Sequence, residues 1–179
     1  MQAFGVELGI KVRDSRYGDG GKKWHVDATY LKVEGSWCYL YRAIDKEDNL
    51  IDVYLSDVRD QAAAEKFFMQ AQTTTCITPI QITTDKEPAL YKAIESTFPK
   101  DVMHRDSKYM NNRIEQSHRG IKSRIRPMKE FKDFFSALIF STAFEEIKQF
   151  FLIKNKSRAD RPRIIPSKIN EFNQLIAVV

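Results

Sequence analysis

The chain has little cysteine and no long hydrophobic run, and both shortages exclude classes of protein. Its 179 residues include two cysteines, Cys38 and Cys76, too few and too isolated for a disulfide framework or a cysteine metal knuckle. No apolar run approaches the roughly 20 residues that a transmembrane helix needs. The N-terminus also lacks the charged-then-apolar pattern of a signal peptide. We therefore expect an intracellular protein without membrane contact.

Common enzyme motifs are missing as well. The sequence has no Walker loop, no His-Glu-x-x-His pair and no Gly-x-Ser-x-Gly elbow, which excludes the simplest nucleotide, zinc-protease and serine-hydrolase sites. It does have a formal net charge of +5, with basic residues clustered between positions 112 and 163. Such an excess suits a polyanion, although an isolated basic run is more often a solvated helix face.

The order of apolar patterns predicts an α/β fold with a mixed sheet flanked by helices. Three aromatic and β-branched runs predict an antiparallel meander, and strands and helices alternate after it. The ribonuclease-H-like architecture has this order, with its first strand central. The predicted elements are strands at Trp24–Val33, Trp37–Asp45, Leu50–Leu55, Pro79–Thr84 and Asp101–Arg105, and helices starting after Asp60, at Pro88, near Asn112 and near Phe134.

Proline and composition divide the chain into three predicted parts. Residues 1–23 form an N-terminal extension, residues 24–153 the ribonuclease-H-like domain, and residues 154–179 a basic tail with little fixed structure. The helix that starts near Asn112 is expected to end at about Arg126, because Pro127 lacks an amide hydrogen and disfavours helix before it.

Three acidic residues stand where a phosphoryl-transfer metal site would need them. Asp27 interrupts the first strand, Asp85 closes the fourth, and Glu115 lies near the start of a helix. Taken singly, each has an ordinary alternative: an edge-strand aspartate, a helix cap and an exposed ion pair with Arg119. Together they offer three hard oxygen ligands, which suit Mg²⁺ or Mn²⁺. Two such ions could activate an attacking oxygen and stabilise a leaving one.

The helix that carries Glu115 has two neighbouring stripes. Glu115, His118, Arg119 and Lys122 stand at i, i+3, i+4 and i+7 and form a polar stripe. The predicted core-facing stripe is Ile114, Ile121, Ile125 and Met128. Two interpretations of His118 remain open, a hydrogen bond near the site and a packed structural histidine. We interpret the sheet aromatics Trp24, Trp37, Tyr39 and Tyr41 as core residues and not as platforms for stacking bases.

Several long motifs resemble the DDE transposases of the bacterial insertion-sequence-six family. They are the run from Trp24 to Asp45, the run Thr84-Asp-Lys-Glu-Pro-Ala-Leu-Tyr91, the run from His104 to Lys122, and Arg126-Pro-Met-Lys-Glu-Phe-Lys132. The resemblance covers roughly residues 24–150.

The resemblance implies a ribonuclease-H-like catalytic domain with Asp27, Asp85 and Glu115 as catalytic residues and ligands of two Mg²⁺ or Mn²⁺ ions. It also implies that Lys122 contacts DNA, and we expect Arg119, Lys86 and Arg124 to bind phosphates beside it. The implied reaction is DNA cleavage at inverted terminal repeats, followed by attack of the freed 3′ hydroxyl on target DNA. The implied partners are transposon ends, target DNA and further copies of the chain, in a bacterial cytoplasm and near its nucleoid.

The sequence departs from the family pattern in four places. Ala28 replaces a glutamate after the first aspartate, and strand alternation directs it away from Asp27, so we expect only fine tuning. Ser117 replaces an aspartate. The residues after Lys154 are unlike the family. Only 23 residues precede the first strand, and we interpret the chain as a truncated or decayed copy without the helix-turn-helix domain.

Two other functions fit the same residues. One is a non-catalytic DNA-binding or dimerising remnant, which would keep the basic surface without metal-dependent nicking. The other is a ribonuclease-H-type nuclease, which would cut without joining strands.

Overall fold

A computed structural model describes residues 10–13, 20–106, 112–153 and 160–177 of the chain. The five strands are β1 (Lys23–Val33), β2 (Ser36–Asp45), β3 (Leu50–Ser56), β4 (Gln81–Thr84) and β5 (Met103–Asp106). The helices are α1 (Gln61–Thr75), α2 (Pro88–Thr97), α3 (Asn112–Met128), α4 (Phe134–Phe150) and α5 (Arg161–Ala177). Residues 10–13 are also helical. Among the residues so described, no helix is long and apolar enough to cross a membrane.

The strands form one mixed sheet in the order β3-β2-β1-β4-β5. β1, β2 and β3 pair antiparallel as a meander, while β4 runs parallel to β1 and β5 runs parallel to β4. The predicted fold class and the central place of the first strand are therefore confirmed. Parallel neighbours also bring the C-terminal ends of β4 and β5 to the same edge, where α/β sheets usually bind ligands.

Each face of the sheet buries its own hydrophobic core, because successive side chains of a strand point to opposite faces. The main core packs α1 and α2 against one face and includes Trp24, Val26, Tyr41 and Phe67. The second core packs α3 and α4 against the other face, where Leu31, Leu40, Ile121 and Ala137 are its central members. Burial on two faces fixes the register of β1, since a slip of one residue would exchange the cores.

Side-chain caps fix the starts of two helices, and a proline opens a third. Asp60 caps α1 by accepting a hydrogen bond from the amide of Ala63 at 2.8 Å, and Asp133 caps α4 through the amide of Ser136 at 2.7 Å. α2 begins at Pro88, where the missing amide hydrogen costs no helical bond. The predictions of the Asp60 cap and of Pro88 in the first turn are confirmed.

Two predictions about helices were wrong. α3 continues through Pro127 to Met128; the proline falls in the last turn, and the left-handed backbone of Lys129, with φ of 64°, ends the helix. The expected tail also contains a helix, α5. Its Phe172 ring packs against Phe150 and Phe151, although the helix has no fully buried residue. A contact between a few aromatic rings therefore attaches this helix, and an average over hydropathy does not reveal it.

Candidate active site

Strand register places the two predicted aspartates at the same end of neighbouring strands. β1 and β4 pair in parallel, with His25 opposite Thr83. Asp27 and Asp85 each lie two residues beyond that pair, in the same direction along neighbouring strands. β4 ends at Thr84, so Asp85 is the first residue past the strand, and both aspartates are half-buried. The arrangement places two carboxylates at one end of the parallel part of the sheet.

Helix α3 reaches Asp27 through His118. The Nδ1 atom of His118 lies 3.6 Å from Oδ2 of Asp27, while Oδ1 of Asp27 accepts a hydrogen bond from the amide of Ala28 at 2.8 Å. Glu115 precedes His118 by three residues, and residues at this spacing share a helix face. The side chain of Glu115 is not among those that the structure describes, so its role as third ligand stays a prediction.

His118 belongs to the buried face of α3, not to an exposed polar stripe. It is as buried as Ile114 and Ile121, four residues before it and three after it, whereas the predicted core residue Met128 is exposed. Burial, and to a lesser extent the nearby charges of Arg42, Lys122 and Lys148, lower the pKa of His118 to about 3. The imidazole is therefore neutral at physiological pH. The spacing of His118 from the two isoleucines could have revealed its burial.

The surroundings of Asp85 are polar and open. A cavity of about 240 Å³ is lined by Asp85, Lys86, His104 and Asp106, among others. Thr84 and His104 share a hydrogen bond of 2.8 Å between Oγ1 and Nε2. The register pairs Thr84 with Asp106, so a further carboxylate lies at the end of β5. The sequence reasoning overlooked Asp106, and the parallel register is the signal that would have found it.

A buried ion pair under α3 and α4 was also overlooked. Nη2 of Arg42 lies 2.9 Å from Oε2 of Glu145, and both side chains are almost fully buried. Nζ of Lys148 lies 3.5 Å from the same oxygen. Burial is the main cause that lowers the pKa of Lys148. The pair joins β2 to α4, and the positive charges of Arg42 and Lys148 help to lower the pKa of His118.

The four predicted phosphate-binding residues are all exposed. Arg119, Lys122 and Arg124 lie on α3 after His118, with Arg119 directly next to it, and Lys86 follows Asp85 directly. Three cations on the helix and one at the end of β4 leave the aspartates beside positively charged surface. Their contact with DNA stays a prediction.

Two predictions about neighbouring residues have different outcomes. Ala28 packs against the main core, on the face opposite the contact between Asp27 and His118, as strand alternation predicted. Trp37 is not a core residue, because 54% of it is exposed. It lies in the second position of β2, beyond the part of the sheet that α1 and α2 cover, whereas Trp24 and Tyr41 are buried as expected.

A family model described as a DDE domain matches residues 21–155. The chain belongs to this family of insertion-sequence transposase domains. The match confirms the resemblance read from the motifs, and the family domain includes the strands and helices that carry Asp27, Asp85 and Glu115.

Curated relatives of this DDE domain are transposases of staphylococcal elements. The transposase for insertion sequence-like element IS431mec of Staphylococcus aureus strain Mu50 is 42% identical over 106 residues, which cover 57% of this chain and 47% of the relative. The transposase for IS257 in transposon Tn4003 of Staphylococcus aureus has the same identity and coverage. The chain thus spans about half the length of the curated relatives that it matches.

The DDE domain also has the fold of retroviral integrase cores. The catalytic core of bovine immunodeficiency virus (BIV) integrase superposes with a TM-score of 0.52 at 13% identity, covering 86% of this chain and 99% of that one. The HTLV-2 integrase catalytic core in complex with magnesium gives a TM-score of 0.50 at 13% identity, covering 79% of this chain and 93% of that one. At such low identity the likeness bears on the fold alone. The ribonuclease-H-like prediction is confirmed.

Proposed function

We propose that this DDE domain cleaves DNA at the inverted repeats of its element and transfers the resulting 3′ hydroxyl to target DNA, with divalent metal ions held by Asp27, Asp85 and Glu115. The observation that supports the proposal is the parallel register of β1 and β4, in which Asp27 and Asp85 each follow the pair His25 and Thr83 by two residues.

The donor set fits a hard divalent cation. Asp27 and Asp85 provide carboxylate oxygens, which Mg²⁺ and Mn²⁺ prefer to nitrogen or sulfur. Among the side chains that the structure describes, no three acidic, histidine or cysteine side chains form a metal cluster. The proposed third ligand is therefore Glu115, whose side chain is outside that set. Bound ions would polarise the phosphate and lower the pKa of a water or hydroxyl nucleophile.

The chain's own residues would divide the remaining work. Nδ1 of neutral His118 lies 3.6 Å from Oδ2 of Asp27, so the imidazole packs beside the carboxylate without forming an ion pair with it. Because the imidazole is uncharged, it does not compete with a cation for Asp27. Arg119, Lys122 and Arg124 would bind phosphates along α3, and Lys86 those beside Asp85. Phosphate contacts of this kind position a strand without reading its sequence.

Assembly and location follow from the same activity. Joining two transposon ends requires that both be held at once, so we propose that the active form contains at least two copies of the chain on DNA. A bacterial cell would provide that DNA in its nucleoid.

The test measures nicking and joining separately. Purified full chain is incubated with supercoiled plasmid and with a labelled duplex that carries the inverted repeat flanking the gene, with Mg²⁺ or with EDTA. We expect nicked plasmid and joined products with Mg²⁺ and neither with EDTA. Asp27→Asn and Asp85→Asn should reduce both products below detection, since each removes a ligand charge.

Asp101→Asn is the matched control, because Asp101 is exposed and precedes β5, at the opposite end from Asp106. It should cleave like the unaltered chain. DNA binding in EDTA and the thermal midpoint should be unchanged in all three variants. Full cleavage by Asp27→Asn would refute the proposal. Binding without cleavage by the unaltered chain would favour a remnant, and cleavage without joining would favour a nuclease.

A further inference from the structure

Two large aromatic side chains are exposed together at the far end of the β1–β2 hairpin. Tyr30 is 61% exposed and Trp37 is 54% exposed. Their ring centroids lie 5.0 Å apart with an angle of 83° between the planes. The register pairs Tyr30 with Tyr39 and Lys32 with Trp37, so both rings stand on the same face of the sheet. We call Tyr30 and Trp37 the aromatic pair.

The aromatic pair has a cation beside it. Nζ of Lys122 lies 5.9 Å from the centroid of the Tyr30 ring, within the range of a cation–π contact. Lys32, which is nearer in sequence, forms an ion pair of 3.4 Å with Glu130, and its charge is thereby compensated. Lys122 is thus a cation that lies over the Tyr30 ring of the aromatic pair. Sites that bind single-stranded nucleic acid combine a stacking surface with a cation.

The aromatic pair lies close to the candidate active site. Tyr30 follows Asp27 by three residues, which is about 10 Å along an extended strand. This distance corresponds to about three stacked nucleotides at 3.4 Å each. Lys122 follows His118 by one helical turn, and His118 contacts Asp27. The acidic site and the aromatic pair are therefore joined along both β1 and α3.

A DNA strand could pass from the candidate active site to the aromatic pair around an edge of β1. Asp27 and Tyr30 point to opposite faces of the sheet, but β4 pairs only with Lys23–His25. Beyond His25, β4 no longer covers that side of β1. Lys122 belongs to the helix on the Asp27 face and yet reaches the ring of Tyr30 on the other face. Its position marks the route that a DNA backbone would follow.

We propose that Tyr30 and Trp37 form a stacking platform for an unpaired base of the DNA strand at the active site, with Lys122 binding its phosphate. This proposal deepens the proposed function and rests on it for the identity of the ligand. Stacking on an aromatic ring is tolerant of sequence, because every base has a π-face. The platform would hold a strand end unpaired near the carboxylates, where a duplex base would stay stacked on its neighbours.

The test is a binding measurement without cleavage. The probe is a fluorescein-labelled single strand of thymidylate, about 12 nucleotides long, with a blunt duplex of the same length for comparison, both titrated in EDTA. Tyr30→Ala and Trp37→Ala should each weaken single-strand binding by about 5-fold to about 150-fold, the range for loss of one stacked base. Duplex binding should change less than about twofold, since phosphate contacts remain.

Conservative and matched variants separate stacking from folding. Trp37→Phe keeps a ring and should restore most of the affinity that Trp37→Ala loses. Phe135→Ala removes an equally exposed aromatic, 50% accessible, from α4 and should bind like the unaltered chain. Thermal midpoints should agree within a few degrees for all variants, because the altered rings lie outside both cores.

Intrinsic fluorescence gives an independent readout. The chain has two tryptophans; Trp24 is fully buried and Trp37 is exposed. The single strand should quench the fluorescence of the unaltered chain, and Trp37→Phe should abolish that quenching while retaining binding. Unchanged single-strand affinity in both alanine variants would overturn the platform. Equal losses of affinity for the single strand and for the duplex would also overturn it. Loss of a dimer in sedimentation with no loss of single-strand affinity would overturn it too, and would assign the aromatic pair to an interface between copies of the chain.

The outcomes keep the two proposals distinguishable. If the platform fails while Mg²⁺-dependent cleavage persists, only the platform is wrong. If Asp27→Asn cleaves like the unaltered chain, the catalytic proposal is wrong, and the stacking measured in EDTA is unaffected.

Discussion

Glu145 holds a negative charge between α4 and the sheet, and its replacement by glutamine should destabilise the domain strongly. Oε2 of Glu145 lies 2.9 Å from the guanidinium of Arg42, and the exposed fractions of the two side chains are 0% and 3%. Glutamine has nearly the same volume, so packing is preserved while the charge is removed. Arg42 would then remain buried without its counter-charge, a change that typically costs about 3–5 kcal/mol.

The environment makes the two single variants unequal. Nε and Nη1 of Arg42 have no hydrogen-bond partner within the described part of the chain, so the cation depends on its one contact with Glu145. Glu145 retains Lys148 at 3.5 Å when Arg42 is replaced. Glu145→Gln should therefore cost more than Arg42→Met. The double variant Arg42→Met with Glu145→Met should cost less than the sum, because replacing both buried ions by apolar groups is often neutral.

Urea unfolding followed by circular dichroism measures these free energies. A domain of this size is stable by about 5–15 kcal/mol, so a loss of 3–5 kcal/mol should move the midpoint well below that of the unaltered chain at a similar slope. The thermal midpoint should fall by roughly 6–20 °C. A loss below about 1 kcal/mol for Glu145→Gln, or a double variant that equals the sum of the singles, would refute the coupling between the two charges.

Three further outcomes are expected. Asp60→Ala should lower the free energy of unfolding by about 1 kcal/mol through loss of the α1 cap, measured by urea titration; no change would show that the cap is dispensable. Since burial keeps His118 neutral with a pKa of about 3, the unfolded chain takes up the proton that the folded chain refuses. The contribution of neutral His118 to the free energy of unfolding is complete above about pH 6.5 and declines as pH falls, by about 2 kcal/mol between pH 7 and pH 5 in EDTA. His118→Gln should flatten that decline. Equal curves of stability against pH for the variant and the unaltered chain would contradict the prediction. Arg119→Gln should reduce the slope of log K against log salt for DNA binding by about 0.9, and an unchanged slope would remove Arg119 from the phosphate contacts.

The sequence predicts the strands well, because the residue patterns that define a strand lie within a short stretch of chain. Aromatic and β-branched runs end at turns, and two buried faces leave one register for β1. The end of α3 was missed because proline rules describe helix interiors, whereas Pro127 stands in a last turn. Helix α5 was missed because one ring, Phe172, holds it against two others across an intervening segment.

Part of the candidate site could likewise be predicted from the sequence, and part could not. Asp27 and Asp85 are recognisable because a charge that ends or interrupts an apolar strand is conspicuous. Arg42 and Glu145 are 103 positions apart in sequence, and each resembles an ordinary surface charge until β2 and α4 pack together. Exposure of Trp37 likewise depends on where α1 and α2 stop covering the sheet, and strand composition does not contain that information.

The unequal lengths of β1 and β4 account for the position of the site. β4 has four residues and β1 has eleven, and Asp85 begins the turn that leads into α2 at Pro88. Because β4 stops there, β1 continues past Asp27 without that neighbour. Asp27 itself accepts the amide hydrogen of Ala28, and α3 brings His118 and Lys122 to the same stretch. A longer β4 would cover this side of β1, closing both the space beside the two aspartates and the route to Tyr30. The early end of β4 thus leaves β1 without that neighbour beyond His25, in the stretch where His118 lies 3.6 Å from Asp27.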